Sequence, residues 1–197
     1  MIAFASAGCT ATLNVVFLVD ISGSLAYDGY YAQIAFMDEI VQGLSFSFQR
    51  TQVALVTFAA QAQVVFFLDT YNSPLDILNA ISIDTVDSGT DFSSGFNLVT
   101  NSVIGGSANE VGKKNVVIFL SDGKLNLDMG TFDTSVDTLK ATGATIYAIS
   151  VGPSVQQDTM NYIASNPSTM YTFAIPLYNE TDVVANAVLD QLCQLSK

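Results

Sequence analysis

Three apolar pentads constrain this chain more than any other feature: Val15-Val-Phe-Leu-Val19, Val64-Val-Phe-Phe-Leu68 and Val116-Val-Ile-Phe-Leu120. Their β-branched and aromatic content, and their length, favour strands over helix fragments. Shorter strand candidates are Gln52 to Phe58, Thr145 to Val151 and Met170 to Phe173. Between them, helical spacing runs over Tyr27 to Leu44, Pro74 to Ile81, Phe92 to Val103, Thr131 to Thr142, Val155 to Ser165 and Thr181 to Leu195. Ser73-Pro74 predicts an N-cap with proline in the first turn, and Ser154 with Gln157 fits a capping box. Half of the 197 residues are apolar and only 12% are charged, a balance that excludes intrinsic disorder and predicts a sheet covered on both faces. The alternation of strand and helix then predicts an α/β fold, doubly wound around a mostly parallel sheet with right-handed crossovers. One link departs from it. Only Ala59 to about Ala62 separates Phe58 from the Val64 strand, whereas a parallel crossover needs about a dozen residues. Those two strands must form a hairpin, with one antiparallel strand at an edge.

The length suits one domain able to remove roughly 70% of its unfolded surface from water. No repeat, low-complexity tract or Pro/Gly-rich linker divides it. With 6 Lys and Arg against 18 Asp and Glu, the net charge is -12, and this field opposes docking on nucleic acid or anionic lipid. No uninterrupted apolar run exceeds a pentad, far short of the roughly 20 residues of a spanning helix, so direct membrane insertion is not expected. Histidine is absent, which removes the Ser-His-Asp and Cys-His relays and any His-ligated zinc. The two cysteines, Cys9 and Cys193, match neither a zinc knuckle nor a redox C-x-x-C pair. They read as a staple between the chain ends, worth at most about 5 kcal/mol and implying an oxidising compartment. The alternative is two unrelated buried thiols. Residues 1–8 read equally as a signal-peptide remnant, from the small-x-small pattern Ala5-Ser6-Ala7, or as a disordered terminus. Asn179-Glu180-Thr181 is an acceptor sequon that fits secretion.

Polar groups converge at the predicted carboxyl ends of the strands, where open α/β sheets bind ligands. Asp20 follows the first pentad and opens Asp20-Ile21-Ser22-Gly23-Ser24. Asp122 follows the third after Ser121, and Ser88-Gly89-Thr90 precedes the Phe92 helix. Two carboxylates and three hydroxyls make an all-oxygen nest, suited to Mg2+, with Mn2+ or Ca2+ able to substitute, and unsuited to zinc or copper. Each piece has a plainer reading. Ser22 and Ser24 would cap the Tyr27 helix, Thr90 the Phe92 helix, and Asp122-Gly123 is an ordinary turn signal. Asp28, Asp91 and Asp128 read as solvated charges or rim contacts. Lys124 reads as surface or as a cation beside the site, and Tyr27 and Tyr30 as core or rim.

Taken in order, Asp20-Ile21-Ser22-Gly23-Ser24, Gly89-Thr90-Asp91-Phe92-Ser93-Ser94-Gly95-Phe96 and Ser121-Asp122-Gly123 together resemble the von Willebrand factor type A domain, over roughly Leu13 to Leu192. The resemblance implies a single such domain across 9–197 with a metal-ion-dependent adhesion site (MIDAS). It implies that Ser22 and Ser24 ligate a divalent cation directly, and that Thr90 and Asp122 do so directly or through water. Asp20 would orient waters and the serines. A Glu or Asp from a protein partner, in the matrix or on a cell surface, would complete the shell. It also implies that Cys9 and Cys193 join the adjacent chain ends.

Enzyme readings lack equipment. An EF-hand loop needs Gly and Glu where Leu25 and Tyr31 stand, and no phosphate-binding, dinucleotide-binding or nucleophile-elbow motif is present. An Mg-dependent phosphohydrolase with Asp20 as nucleophile is the best rival, but it would want an acid at Ser22. The resemblance therefore implies a non-enzymatic, secreted adhesion domain. A metal-independent structural or matrix-binding module is the alternative.

Overall fold

The computed structural model describes residues 11–25, 27–44, 50–81, 89–124, 130–153, 156–176 and 180–195. The expectations for residues 1–8, Cys9, Ser88, Asp128, Ser154 and Asn179, and for the Tyr27 side chain, fall outside them.

Each of the three pentads falls wholly or partly in a strand, and the sheet follows from how these strands can be joined. The strands are β1 (Leu13–Asp20), β2 (Gln52–Phe58), β3 (Ala62–Phe66), β4 (Lys114–Ser121), β5 (Thr145–Val151) and β6 (Thr172–Ile175). They lie in the order β3-β2-β1-β4-β5-β6. All neighbours pair in parallel except β2 and β3. The short link after Phe58 is thus a hairpin, and β3 is an antiparallel edge strand. Its ladder starts directly after the turn, Ala62 opposite Phe58 and Val64 opposite Val56. The strand is therefore displaced toward the turn from the expected Val64 to Leu68, and ends where the Phe67 N–H is taken by Thr70 Oγ1 at 3.0 Å.

The helices are α1 (Tyr27–Gly43), α2 (Pro74–Ala80), α3 (Phe92–Leu98), α4 (Phe132–Ala141), α5 (Gln157–Ile163), α6 (Ser168–Tyr171) and α7 (Thr181–Leu192). Successive side chains of β1 point to opposite faces. Val15, Phe17 and Val19 join Phe36, Met37 and Ile40 of α1 and Val188 and Leu192 of α7 in one core. Val16 and Leu18 join Phe92 and Phe96 of α3, Val136 and Leu139 of α4 and Ile163 of α5 in the other. A strand buried on both faces has no polar alternation, which is why the pentads of β1 and β4 are unbroken. Each such buried side chain contributes roughly 1.5–3 kcal/mol.

Several boundaries differ from the sequence expectation. Ser73 does cap α2, its Oγ accepting from Asp76 N at 3.2 Å with Pro74 in the first turn. The N-cap of α5 is Gln156, so Gln157 opens the helix instead of occupying its third position, while Ser154 of the expected capping box lies outside the described residues. The expected Phe92 to Val103 helix is α3 followed by a π-helical stretch, Val99–Ile104. There Thr100 Oγ1 bonds back to the Phe96 carbonyl at 2.8 Å, a competition with the backbone ladder that favours such widening. The single turn of α6 takes Met170, which is half exposed, and moves β6 two residues beyond the expected start.

Candidate metal centre

Strands β2 and β3 extend the sheet to one side of β1, and β4, β5 and β6 to the other. The strand order therefore reverses between β1 and β4, and the crevice beyond their carboxyl ends is the place for a ligand. Asp20 is the last residue of β1, Ser121 the last of β4, and Asp122 follows.

Each of three loops at this edge is shaped by one aspartate accepting the N–H two residues on. Asp20 Oδ1 accepts from Ser22 N at 2.8 Å. Asp122 Oδ1 accepts from Lys124 N at 3.0 Å, and Asp91 Oδ1 from Ser93 N at 2.9 Å. Two of the loops are also tied to the end of β2: Ile21 N donates to the Phe58 carbonyl and Asp91 N to the Ala59 carbonyl, both at 2.8 Å. The β1 and β4 ends are joined by Ser121 Oγ, which donates to Asp20 Oδ2 at 2.6 Å and accepts from Gly123 N at 3.0 Å. Gly123 has φ +78°, a conformation open to glycine and strained for other residues.

The hydroxyls of Ser22 and Ser24 lie 3.2 Å apart. Ser22 is buried and Ser24 exposed, so the pair faces from the loop interior toward solvent. Thr90 is fully buried beside Asp91. The N-cap role that sequence alone allowed to Thr90 belongs to Asp91, whose Oδ1 accepts from both Ser93 N and Ser94 N. Asp91 is therefore a structural cap and not a solvated charge. Its helix is fixed below by Phe92 and Phe96. Phe92 meets Phe119 edge-on at 5.1 Å and Phe58 at 5.6 Å, while Phe58 and Phe119 stack at 5.7 Å. Gly95 lets the helix approach closely, since a Cβ there would lie 3.0 Å from Leu18 Cδ1 and 3.3 Å from Phe58 Cδ1.

Two supporting residues have no counterpart among the sequence candidates in these roles. Tyr30 is buried and not on the rim. Its hydroxyl lies 2.6 Å from the Ser22 carbonyl and 3.0 Å from that of Ile21, and donates to this pair of acceptors. Gln33, three residues on along α1, donates from Nε2 to the Asp20 carbonyl at 3.0 Å. Their i, i+3 spacing places both on the inward face of α1. That spacing places them behind the serine loop but does not reveal the carbonyls they reach.

The electrostatics describe a buried negative site. Burial pushes Asp20 up to about 6 against the hydrogen bonds from Ser121 and Ser22, with nearby Asp122 adding to the rise. Burial, and then the fields of Asp20 and Asp122, push the Tyr30 phenol up to about 12. Asp122 Oδ2 is buried without a hydrogen bond of good geometry, although the Lys124 ammonium is 3.2 Å away. Two buried carboxyls beside exposed and buried serine hydroxyls, one carboxyl oxygen held only by an ammonium that is itself partly exposed, fit a divalent cation. Among the described residues no group of three or more His, Cys, Asp or Glu side chains forms a metal cluster. Any cation here would depend on hydroxyl and water oxygens beside the two carboxyls. At the far end of the chain, Cys193 is held in a disulfide.

Comparison with known proteins agrees with this architecture. A family model described as the von Willebrand factor type A domain matches residues 14–187. Matrilin-1 of Mus musculus is 26% identical over 192 residues, covering 95% of this chain and 38% of its own length. The collagen alpha-6(VI) chain of Homo sapiens is 22% identical over 188 residues, covering 94% and 8%. Among solved structures, proximal thread matrix protein 1 from the mussel byssus superposes with a TM-score of 0.85 at 23% identity, over 94% of this chain and 49% of that one. Another structure of the same mussel protein, with a zinc-occupied MIDAS motif, has a TM-score of 0.83 at 26% identity over 94% and 47%. This chain spans less than two-fifths of either curated relative and about half of the mussel protein. Strand order, edge hairpin and family match agree: the chain belongs to the von Willebrand factor type A domain family.

Proposed function

We propose that this domain is a non-enzymatic extracellular adhesion module that binds an acidic group of a protein partner through a divalent cation. The observation that carries the reading is the pairing of two buried carboxylates, Asp20 and Asp122, with the Ser22 and Ser24 hydroxyls at the β1/β4 reversal. Ser22 and Ser24 would hold the ion directly, with Thr90 and Asp122 contributing directly or through water. Asp20, pinned by Ser22 N and Ser121 Oγ, would orient waters and the serine loop. When bound, the ion supplies an electrophilic centre for an outside carboxylate, strongest where neutral oxygens dominate its shell. The partner's Glu or Asp is that carboxylate.

Mg2+ is the proposed physiological ion, since an all-oxygen site with bound water suits a hard cation. The mussel protein's zinc-occupied motif runs against the expectation that such a set rejects zinc, so zinc belongs in any competition experiment. The matrix proteins among the relatives support a secreted location, as does the Cys193 disulfide. Cys9, the chain's one other cysteine, is the proposed partner of Cys193, and Asn179 the proposed glycosylation site.

Titration with Mg2+ and Mn2+, followed by calorimetry, tests the reading. Wild-type protein should bind one ion, and Asp20→Ala and Ser22→Ala should lose it while remaining folded by circular dichroism. Equal binding by all three would refute the assignment. Partner binding that survives chelation would favour the metal-independent module, for which the edge strand β3 and the residue after it, with Val65 and Phe67 about two-fifths exposed, offer a face.

A further inference from the structure

The described cations are divided unevenly between the two ends of the sheet. Among the described cations, Arg50 precedes β2, Lys113 and Lys114 lie at the start of β4, and Lys140 is in the last turn of α4, leading back to β5. All four lie toward the amino ends of the parallel strands. Lys124 is the one described cation at the carboxyl ends. The same end of the sheet carries Asp20, Asp122 and aspartates at helix starts, Asp28, Asp91, Asp133 and Asp158.

Lys124 also touches the site at a defined atom. Its ammonium is 3.2 Å from Asp122 Oδ2, and its side chain is 44% exposed against 6% for Asp122. Its backbone N–H already holds Oδ1. One residue therefore engages both oxygens of a carboxylate whose Oδ2 has no hydrogen bond of good geometry. An ammonium and a divalent ion cannot share one carboxylate oxygen without strong mutual repulsion in a partly buried site.

We propose that Lys124 is a charge latch on the cation site. With no ion bound, its ammonium neutralises Asp122. With an ion bound, it is displaced from Oδ2 to the rim. There it pairs with a second carboxylate of the partner, making the preferred ligand a peptide with two neighbouring acids. This inference rests on the cation reading given above, and deepens it by assigning partner chemistry to a residue outside the oxygen set. It requires opposite effects on the two binding events. Removing the ammonium relieves competition for Asp122 and so tightens cation binding, but it also removes the second anchor and so weakens the acidic partner.

The test compares wild type, Lys124→Gln and Lys124→Arg by calorimetric titration with Mn2+. The Mn2+-saturated proteins are then titrated with synthetic peptides carrying one Glu or a Glu-Glu pair. Lys124→Gln should bind Mn2+ on the order of threefold or more tighter and lose the wild type's preference for the Glu-Glu peptide, while Lys124→Arg keeps that preference. In metal-free buffer Lys124→Gln should also melt lower than wild type, and saturating Mn2+ should close the gap. Unchanged or weaker Mn2+ binding by Lys124→Gln, with wild type binding normally, overturns the latch. A wild type without preference for the paired acids overturns the anchoring role. Failure of wild type and Lys124→Gln alike to bind Mn2+ instead removes the cation reading, and the latch with it.

Discussion

Ser121 Oγ donates to Asp20 Oδ2 at 2.6 Å, and this bond joins the ends of β1 and β4 at the position where the sheet reverses its strand order. The same oxygen accepts the Gly123 N–H. A single hydroxyl thus couples the carboxylate of one loop to the backbone of the other, so both loops are held before any ligand arrives.

Replacing that hydroxyl should be costly although no large side chain is lost. Ser121→Ala leaves a buried carboxylate oxygen and the Gly123 N–H short of a partner, and should destabilise by about 2 kcal/mol. Urea denaturation with chelator present checks this. An effect within error of zero would mean that water replaces the hydroxyl.

Tyr30→Phe keeps the ring in the core and removes the hydroxyl beneath the Ser22 loop. The expected loss is about 1–2 kcal/mol of stability, because two buried carbonyls lose a shared donor. Mn2+ affinity should fall by more than in Ser73→Ala, at the half-buried cap of helix α2. Calorimetry on the two variants separates loop support from general destabilisation.

Asp20 makes stability depend on pH in a direction opposite to that of a salt-bridged aspartate. Its pKa is about 6 folded against 3.8 for the free side chain, so the folded state binds more protons between these values. Its contribution is therefore full below about pH 4 and is lost as pH rises through about 6, in total roughly 3 kcal/mol. Urea midpoints in metal-free buffer should show this fall in wild type and not in Asp20→Asn. A divalent cation should offset it, because the ion favours the charged form. Identical pH profiles for the two proteins would count against the burial assigned to this carboxyl.

Asp91→Ala removes the cap of α3, and with it two hydrogen bonds to the first turn. About 1 kcal/mol of stability should be lost. Because Thr90 immediately precedes the cap, Mn2+ affinity should fall as well, which Asp76→Ala in α2 should not reproduce. Parallel melts and Mn2+ titrations of the two variants provide the check.

The strand–helix alternation, the edge hairpin and the positions of Asp20, Ser22, Ser24, Thr90 and Asp122 at loop starts were all legible in the sequence. They rest on local chemistry: apolar runs, turn residues, and links too short to cross over. Element boundaries were less legible where local signals compete. The π-helical stretch at Val99–Ile104 depends on Thr100 turning its hydroxyl to Phe96, and α5 starts at Gln157 despite a capping pattern beginning at Ser154. The supporting roles of Tyr30, Gln33 and Ser121 were not legible. A tyrosine or glutamine on an inward helix face looks like core until its acceptor is known.

What the residues alone decided is the class of fold and the kind of chemistry available: no imidazole, few cations, and oxygen donors in three separated strings. Tertiary structure decided which of those oxygens share a neighbourhood and in what state. Pairing β1 with β4 brings Asp20 to Ser121 across 101 residues of chain, and burial then moves its acidity. Both follow from long-range packing, which removes water from the carboxyl group and sets the distances between loops. No local sequence pattern encodes either quantity.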